Sequence, residues 1–381
     1  MSRSSAQIER ILVHGTSWVG DTVISLPALK HLRRIFPHAH LAYVARPWTA
    51  GLFAESDLID ELLIYQRRSF LSPLRQAKRL RQATFDLAVL FQNAFEAALI
   101  AALARIPTRI GYATDGRALL LTHPVRLPTW RAERHEVFYY LNLATEIERL
   151  LCARQSSPLS DGAALAPCLE VSPQRQARIR AILRERGMSI SGPLVALCPG
   201  STNSEAKRWP ADRFAALGDR LIDELNAEIV LIGAPSEMEV AREVAAKMKH
   251  EPKILTGTLD IEQVTALLSI ADLLVTNDTG PAHIGGALGK PTLVIFGPTD
   301  PTRTRPFSPT AEIVHHPPPC APCHLRQCPI DHRCMTDITA DEIFAKAFRI
   351  LQRPLLESAN GSQSKANIER NIHNDGPISN R

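Results

Sequence analysis

One stretch, residues 271–289, limits the fold that this chain can adopt. Residues 272–276 (Asp-Leu-Leu-Val-Thr) form an apolar run that is typical of a buried parallel strand. The run stops at residues 277–280 (Asn-Asp-Thr-Gly), and Pro281 to Leu288 continue with helix-compatible residues. A strand that turns directly into a helix points backbone N–H groups at the carboxyl edge of its sheet. The stretch therefore predicts an α/β protein with an anion site at this edge.

The polar residues that follow this strand are candidate donor-site residues. Asp278 or Thr279 is expected to cap the first helical turn, which tolerates Pro281. His283 falls one turn into the helix, on the side that faces the same crevice. The alternative is an ordinary strand–loop–helix corner, in which Asp278 only caps and His283 only contacts its neighbours. Because open α/β sheets bind ligands at the carboxyl ends of their strands, the residues favour a ligand site.

Apolar runs and helical segments alternate in two series along the chain. Residues 155–162, between the series, have the composition of a linker. Such alternation predicts parallel, doubly wound sheets. We therefore expect an α/β protein with two Rossmann-like domains facing each other across a cleft, at residues 1–172 and 173–356, and a polar, disordered tail at residues 357–381. The predicted strands are residues 11–14, 41–45, 61–65, 86–91, 193–198, 228–232, 253–255, 272–276 and 292–296.

Several classes of protein do not fit the sequence. Neither series has a G-x-G-x-x-G motif after its first strand, and no G-x-x-x-x-G-K-[ST] motif occurs, which disfavours a dinucleotide oxidoreductase and a P-loop NTPase. No apolar run approaches the roughly 18 residues that span a bilayer, and residues 1–10 lack the apolar segment of a secretory signal. Seven cysteines, an odd number, do not suggest a disulfide framework. We therefore expect a cytoplasmic enzyme.

The loop after the first strand, residues 15–21 (Gly-Thr-Ser-Trp-Val-Gly-Asp), offers a candidate catalytic base. Its two glycines allow a tight turn and a close approach of the backbone. Asp21 stands at the predicted start of the next helix, at the mouth of the cleft. It is either a helix N-cap, for which Asp is favoured, or a general base that removes a proton from an acceptor hydroxyl.

A second polar loop, residues 199–210, follows the first strand of the second series. Its hydroxyls and cations suit a diphosphate leaving group, because charge gathers on that group as it departs. The alternative is a solvated loop that runs into a helix. The residues concerned are Ser201, Thr202, Lys207 and Arg208.

Glu237 opens another helix of the second series. Its carboxylate has the chemistry to accept hydrogen bonds from a ribose. A carboxylate in the first turn of a helix is also stabilised by the helix dipole, and the spacing alone favours that role.

Residues 66–84 form a basic stretch with six cations and no acidic residue. Residues 1–150 carry a net charge of +6 and the remainder about −1, so the first half is expected to face an anionic partner. The stretch predicts a basic amphipathic surface for anionic lipid or for a phosphorylated acceptor. A solvated charged face is the alternative, and nucleic acid is disfavoured because no recognised nucleic-acid module occurs. The cations are Arg67, Arg68, Arg75, Lys78, Arg79 and Arg81.

Four cysteines lie close together in a segment that we call the four-cysteine loop, residues 320–334. Its C-x2-C pair is typical of a zinc knuckle, which makes a structural zinc possible. The alternative is a loop of reduced thiols. A catalytic metal is disfavoured because the phosphate-binding features lie in other loops. The cysteines are Cys320, Cys323, Cys328 and Cys334.

Taken together, these motifs resemble those of the glycosyltransferase family 9 heptosyltransferases. The resemblance runs from about residue 10 to 350, and the order and spacing of the motifs across both halves make it specific. The four-cysteine loop is not shared by all members and the polar tail is unmatched, so no family role is carried onto either. The motifs are residues 15–21, residues 207–210 (Lys-Arg-Trp-Pro) and residues 277–283, with further similarity at residues 93–99 and 106–112.

The resemblance implies a GT-B fold, with acceptor binding in the first domain and nucleotide-sugar binding in the second. It implies inverting transfer of L-glycero-D-manno-heptose from ADP-heptose to the first heptose of the lipopolysaccharide inner core, on a Kdo–lipid A base. No cofactor or catalytic metal is implied, and the enzyme would meet the cytoplasmic face of the inner membrane peripherally. By motif position, the base would be Asp21, the diphosphate would meet Lys207 with Ser201 or Thr202, the donor site would include Asp278, Thr279, Gly280 and His283, and the ribose carboxylate would be Glu237.

Three other hypotheses fit parts of the sequence. In the first, the chain is another GT-B transferase or an epimerase that uses a different nucleotide sugar. In the second, it is a non-catalytic binding protein that keeps the fold. In the third, it is a metal-dependent scaffold built on the four-cysteine loop. Preference for ADP over UDP, the effect of replacing Asp21 on turnover, and the metal content of the purified protein distinguish them.

Overall fold

The first half of the chain folds around a six-stranded parallel sheet. A computed structural model describes residues 8–152 and 165–352. In the first sheet the strand order is β3-β2-β1-β4-β5-β6. Its strands are β1 (Arg10–His14), β2 (His40–Ala45), β3 (Glu61–Ile64), β4 (Leu87–Leu90), β5 (Thr108–Tyr112) and β6 (His123–Val125). Its helices are α1 (Val19–Ile35), α2 (Ser72–Gln82), α3 (Phe95–Leu103) and α4 (Glu136–Leu151).

The second half repeats this architecture. Its parallel sheet has the order β12-β11-β10-β7-β8-β9. The strands are β7 (Leu194–Cys198), β8 (Glu228–Leu231), β9 (Lys253–Ile254), β10 (Leu273–Asn277), β11 (Thr292–Phe296) and β12 (Ala311–His315). The helices are α5 (Pro173–Glu185), α6 (Ala211–Leu225), α7 (Met238–Lys247), α8 (Ile261–Ile270), α9 (Gly280–Ala287), α10 (Pro301–Thr304) and α11 (Arg333–Thr336), followed by α12 at residues 340–352.

The predicted α/β architecture with two sheets is confirmed, and the strands that the sequence did not predict are β5, β6 and β12. The strands β6 and β12 are edge strands, where polar residues and even Pro124 are tolerated because one side needs no hydrogen-bonding partner. In both sheets the strand order reverses next to the first strand, between β1 and β4 and between β7 and β10. Ligands of such folds bind at these reversal points.

The two halves share part of one hydrophobic core. Val23 of α1, Val264 of α8 and Ile284 of α9 belong to the same cluster of buried residues. The helices α2 and α3 cover the other face of the first sheet, through residues such as Leu80 and Ala98. The predicted domain limits stay a prediction, and the predicted tail lies outside the described residues. Within the described ranges, no helix has both the length and the apolar character needed to cross a bilayer.

Candidate active site

A cavity of about 1050 Å³ lies between the two sheets, at the strand-order reversal points. The first half contributes the start of α1 together with Trp48, and the second half contributes the loops after β7, β8, β10 and β11. Arg208, which was expected near the diphosphate, does not line the cavity and instead donates to the Ser201 carbonyl at 3.2 Å. The nine other residues predicted for catalysis and for donor binding all line this one cavity. They are Asp21, Ser201, Thr202, Lys207, Glu237, Asp278, Thr279, Gly280 and His283.

Asp21 lies on the cavity wall in the first turn of α1. The N-cap of that helix is Trp18, so the alternative that Asp21 is only an N-cap is wrong. Within the described part of the chain, no group forms a hydrogen bond or an ion pair with its carboxylate. Burial and the nearby Glu136 raise the pKa of Asp21 to about 6, against the opposing effect of Arg131 and Lys207. At neutral pH this carboxylate is therefore largely ionised and available to accept a proton.

Lys207 and Asp278 form an ion pair across the second-half wall of the cavity. The Lys207 Nζ atom lies 2.6 Å from Asp278 Oδ2, and the Thr299 hydroxyl donates to the same oxygen at 2.7 Å. Asp278 is buried. A carboxylate cannot attract a diphosphate, so the visible role of Asp278 is to hold the Lys207 ammonium at the cavity.

Asn277 joins the two donor-side loops, and the sequence analysis missed this role. Its Nδ2 donates to the carbonyl oxygens of Pro199 at 2.8 Å and Gly200 at 3.2 Å. Its Oδ1 accepts from the backbone N–H of Trp209 at 3.0 Å. Both ends of the 199–210 loop are therefore tied to the end of β10. Asn277 is fully buried, and a buried polar side chain needs hydrogen-bonding partners. The sequence signal for such a link is an asparagine directly at the end of an apolar strand.

Thr279 occupies the N-cap position of α9, as one of the two predicted alternatives had it, but its side chain does not bond the first-turn amides. Asp278 is engaged with Lys207. The Thr279 hydroxyl instead donates to the Asn277 carbonyl at 3.3 Å and lies 3.2 Å from the Thr276 hydroxyl. The first-turn amides thus have no side-chain partner in α9, and the end of the helix dipole faces the cavity.

Glu237 is buried and performs the local role that its spacing suggested. Its Oε2 accepts from the backbone N–H of Ala234 at 2.7 Å, and its Oε1 accepts from the Thr202 hydroxyl at 3.1 Å. A side chain on Gly200 would collide with this carboxylate, so the glycine makes room for it. Glu237 nevertheless lines the cavity, and the structure leaves ribose binding as a prediction.

His283 is buried in the cavity wall, and burial lowers its pKa to about 4. The imidazole is therefore neutral at physiological pH and offers hydrogen bonding rather than positive charge. It packs against the backbone of Gly20 in α1. His283 thus belongs to the contact between the two halves as well as to the cavity.

An ion-pair cluster joins the two halves near Asp21 and was not predicted from the sequence. Glu136, the first residue of α4, accepts from Arg131 at 2.6 Å and from Arg303 of α10 at 2.8 Å. Arg303 also lines the cavity. The neighbouring His135 donates through Nε2 to the Arg305 carbonyl at 2.7 Å. The two segments that meet here, residues 131–136 and residues 303–305, are far apart in the sequence, and no local pattern links them.

Four of the six cations of the predicted basic surface lie on α2, and Arg67 and Arg68 precede that helix. None of the six lines the cavity. Arg75, Lys78, Arg79 and Arg81 are exposed and have no ion-pair partner within residues 8–152 and 165–352. Arg67 differs, because it pairs with Glu96 at 3.0 Å. Phe70, Leu71 and Leu74 are exposed beside these cations.

The four-cysteine loop also lies outside the main cavity, apart from His324. Its thiols line a separate cavity of about 20 Å³. In the described ranges, no group of three or more His, Cys, Asp or Glu side chains is arranged to hold a metal ion. The structural zinc therefore gains no support from this geometry and stays a prediction, to be tested by metal analysis of protein purified without chelators or a metal-affinity tag.

Comparison with known proteins identifies the family. Residues 74–333 match the profile of glycosyltransferase family 9 (heptosyltransferase). Lipopolysaccharide heptosyltransferase 2 of Salmonella typhimurium is 30% identical over 320 residues, which cover 80% of this chain and 87% of that protein. The structure of E. coli ADP-heptose LPS heptosyltransferase II superposes with a TM-score of 0.77 at 27% identity, over 91% of this chain and 99% of that chain.

A more distant structure shares the fold. E. coli heptosyltransferase WaaC with ADP gives a TM-score of 0.65 at 20% identity and covers 90% of this chain and 99% of that chain. The predicted GT-B fold is confirmed by these superpositions together with the two parallel sheets. The chain belongs to glycosyltransferase family 9, the heptosyltransferase family, and is a glycosyltransferase.

Proposed function

We propose that this enzyme transfers L-glycero-D-manno-heptose from ADP-heptose to the first heptose of the lipopolysaccharide inner core, with Asp21 as the general base. The observation that carries this proposal is the arrangement across one cavity. The Asp21 carboxylate, which has no hydrogen-bonding or ion-pair partner among the described residues, enters from the first half. The Lys207 ammonium and the start of α9 enter from the second half. The names of relatives such as lipopolysaccharide heptosyltransferase 2 supply the substrate class.

The arrangement suits a single displacement. The acceptor hydroxyl loses its proton to Asp21 as its oxygen attacks the anomeric carbon, and the bond from that carbon to the ADP oxygen breaks. The negative charge that gathers on the departing diphosphate meets Lys207 and the first-turn amides of α9. Because base and leaving-group residues come from opposite walls, the attack takes place on the face opposite to the leaving group and inverts the anomeric centre.

The remaining donor-side residues fit supporting roles in this scheme. Ser201 and Thr202 offer hydroxyls near the diphosphate, and Glu237 offers a carboxylate to the ribose. Asp278 holds Lys207 through their ion pair. Because Asp278 is the negatively charged member of this pair, it also accepts hydrogen bonds from the sugar. No step in this scheme calls for a metal or another cofactor.

The exposed cations of α2 support peripheral contact with an anionic membrane on its cytoplasmic face. Arg75, Lys78 and Arg79 lie beside exposed Phe70 and Leu74, and this combination of charge and apolar side chains binds anionic lipid surfaces. A lipid-linked acceptor is presented at such a surface.

The proposal is tested by measuring ADP release from ADP-heptose with a core acceptor that ends in one heptose. We expect wild type to turn over and Asp21→Asn to be slower by roughly a hundredfold, the size expected for loss of a general base. Asp57→Asn, an exposed carboxylate away from the cavity, is the control and is expected to match wild type. Turnover by Asp21→Asn at the wild-type rate would refute the role of Asp21. Absence of turnover by wild type with ADP-heptose and this acceptor would refute the substrate assignment.

Nucleotide preference is the second readout of the same proposal. ADP is expected to raise the melting temperature of the protein at concentrations at which UDP does not. Equal protection by UDP would favour a different nucleotide sugar.

A further inference from the structure

The four-cysteine loop has no part in the proposed reaction, yet it is bonded to the residue that precedes Lys207. The backbone N–H of Ala206 donates to the Arg326 carbonyl at 3.0 Å. The Ala206 carbonyl accepts from His332 Nε2 at 2.7 Å. Both polar backbone groups of Ala206 are therefore held by the four-cysteine loop, by residues on either side of Cys328.

The same loop also holds Ser204, three residues before Lys207. The buried Ser204 hydroxyl donates to the Leu325 carbonyl at 3.2 Å. The Lys207 N–H in turn donates to the Ser204 carbonyl at 3.2 Å, which closes a short turn over residues 204–207. The four-cysteine loop thus grips this turn at two positions, and the turn ends at Lys207.

The four-cysteine loop is itself well anchored. The His324 N–H donates to the Pro298 carbonyl at 2.9 Å, next to the end of β11. Met335 is fully buried and occupies the space where a side chain on Gly297 would lie. The indole N–H of Trp209 donates to the Ile338 carbonyl at 2.9 Å. The Pro298 contact thus fixes the loop itself, and the contacts of Met335 and Ile338 fix the segment directly after it, relative to the second sheet.

We propose that the four-cysteine loop positions Lys207 at the cavity, with His332 as the positioning residue that fixes Ala206. A lysine side chain has a flexible stem of four carbons. The position of its ammonium therefore depends on how firmly its backbone is held. Asn277 fixes the far end of the 199–210 loop, through Trp209, and His332 fixes the turn from the other side. The inference rests on the proposed function, because it assumes that Lys207 meets the donor diphosphate.

The test measures binding of ADP and of adenosine to the full chain by calorimetry. His332→Ala removes the donor to Ala206, and we expect ADP to bind roughly tenfold more weakly, as for partial loss of one charge-assisted hydrogen bond. Adenosine lacks the diphosphate and is expected to bind the variant as it binds wild type. A merely structural defect would weaken the binding of both ADP and adenosine, and that result would overturn the inference.

Two variants control for the backbone and for the loss of a histidine. His332 has a left-handed backbone (φ 56°), so His332→Ala and His332→Gln carry the same conformational penalty, while only Gln offers an N–H donor of similar reach. His332→Gln is expected to recover most of the ADP affinity. His316→Ala removes a surface histidine that pairs with Glu342 and should leave both affinities unchanged.

A double-mutant cycle with Lys207→Ala decides whether His332 acts through Lys207. If it does, His332→Ala weakens ADP binding in the wild-type background and has no further effect once Lys207 is absent. Additive losses would overturn the inference while leaving the proposed function intact. Failure of wild type to bind ADP at all would instead overturn the proposed function, and the positioning role with it.

Discussion

Gly20 of α1 lies directly against the imidazole of His283 of α9, so close that a Cβ on Gly20 would fall 2.9 Å from His283 Cδ2. A second close contact joins the same two helices, because a Cβ on Gly280 would fall 2.9 Å from Val19. The two helix starts therefore approach each other through glycines. This approach brings Asp21 to the cavity that the donor-side residues line.

Gly20→Ala tests the contact. We expect the added methyl group to push His283 away and to lower the free energy of unfolding by about 1–3 kcal/mol, the usual cost of overpacking. The loss should shrink when His283 is shortened, so chemical denaturation of Gly20→Ala, His283→Ala and the double variant forms a cycle. Equal losses in both backgrounds would show that the two residues do not compete for space.

The pH dependence of turnover should report the ionisation of Asp21. A general base acts in its ionised form, and the pKa of Asp21 is raised to about 6. We therefore expect kcat/KM to rise with pH up to about 6 and to level off above it. An acidic limb near pH 4, the region of an ordinary carboxyl group, would show that the site does not shift Asp21 in the free enzyme.

The same shift predicts that Asp21 costs stability. Burial favours the protonated carboxyl in the folded state, so folded protein binds the proton more tightly than unfolded chain and stability falls as pH rises from about 4 to about 6. Asp21→Asn cannot ionise, and it should raise the free energy of unfolding at pH 7.5 by about 1–3 kcal/mol. Denaturant titrations at pH 7.5 and at pH 4 check this, because the gain should vanish at the lower pH. Asp57→Asn serves as the control.

Glu136 should tune Asp21 from α4. Its charge raises the pKa of Asp21, whereas Arg131 and Lys207 lower it. Glu136→Gln removes the repulsion and also frees Arg131 from its ion pair, so both effects act in the same direction. We expect the apparent pKa of the acidic limb of the kcat/KM–pH profile to fall by roughly half a pH unit. Glu146→Gln, on the same helix but paired with Arg149, is the matched control and should leave the limb in place.

The basic surface of α2 should bind anionic vesicles. Replacing Arg75, Lys78 and Arg79 by Gln should weaken cosedimentation with vesicles rich in anionic lipid, and raised salt should weaken wild-type binding as well. A control with the same loss of charge replaces three cations of α5, which are Arg178, Arg180 and Arg184. Equal losses for the two triple variants would show that net charge, rather than the α2 surface, drives binding.

The architecture and the main polar residues of the cavity could be predicted from the sequence, although Thr299 and Arg303 of its lining were missed. Buried parallel strands are recognisable because they are continuous apolar runs, and the polar residues that follow them must gather at one edge of the sheet. This geometric rule was enough to bring Asp21, Lys207 and Asp278 to one cavity. Short edge strands such as β6 were not predicted, because they are too brief and too polar to form an apolar run.

The partners of these residues follow from tertiary contacts and could not be predicted from the sequence. The pairing of Lys207 with Asp278, the link from Asn277 to Trp209 and the support of Ala206 by His332 join residues 68 to 126 positions apart. Glu136 likewise meets Arg303 across the contact between the two halves. Hydrogen bonds and ion pairs act over a few ångströms, and no local pattern records which distant side chains come within that range once two sheets pack together.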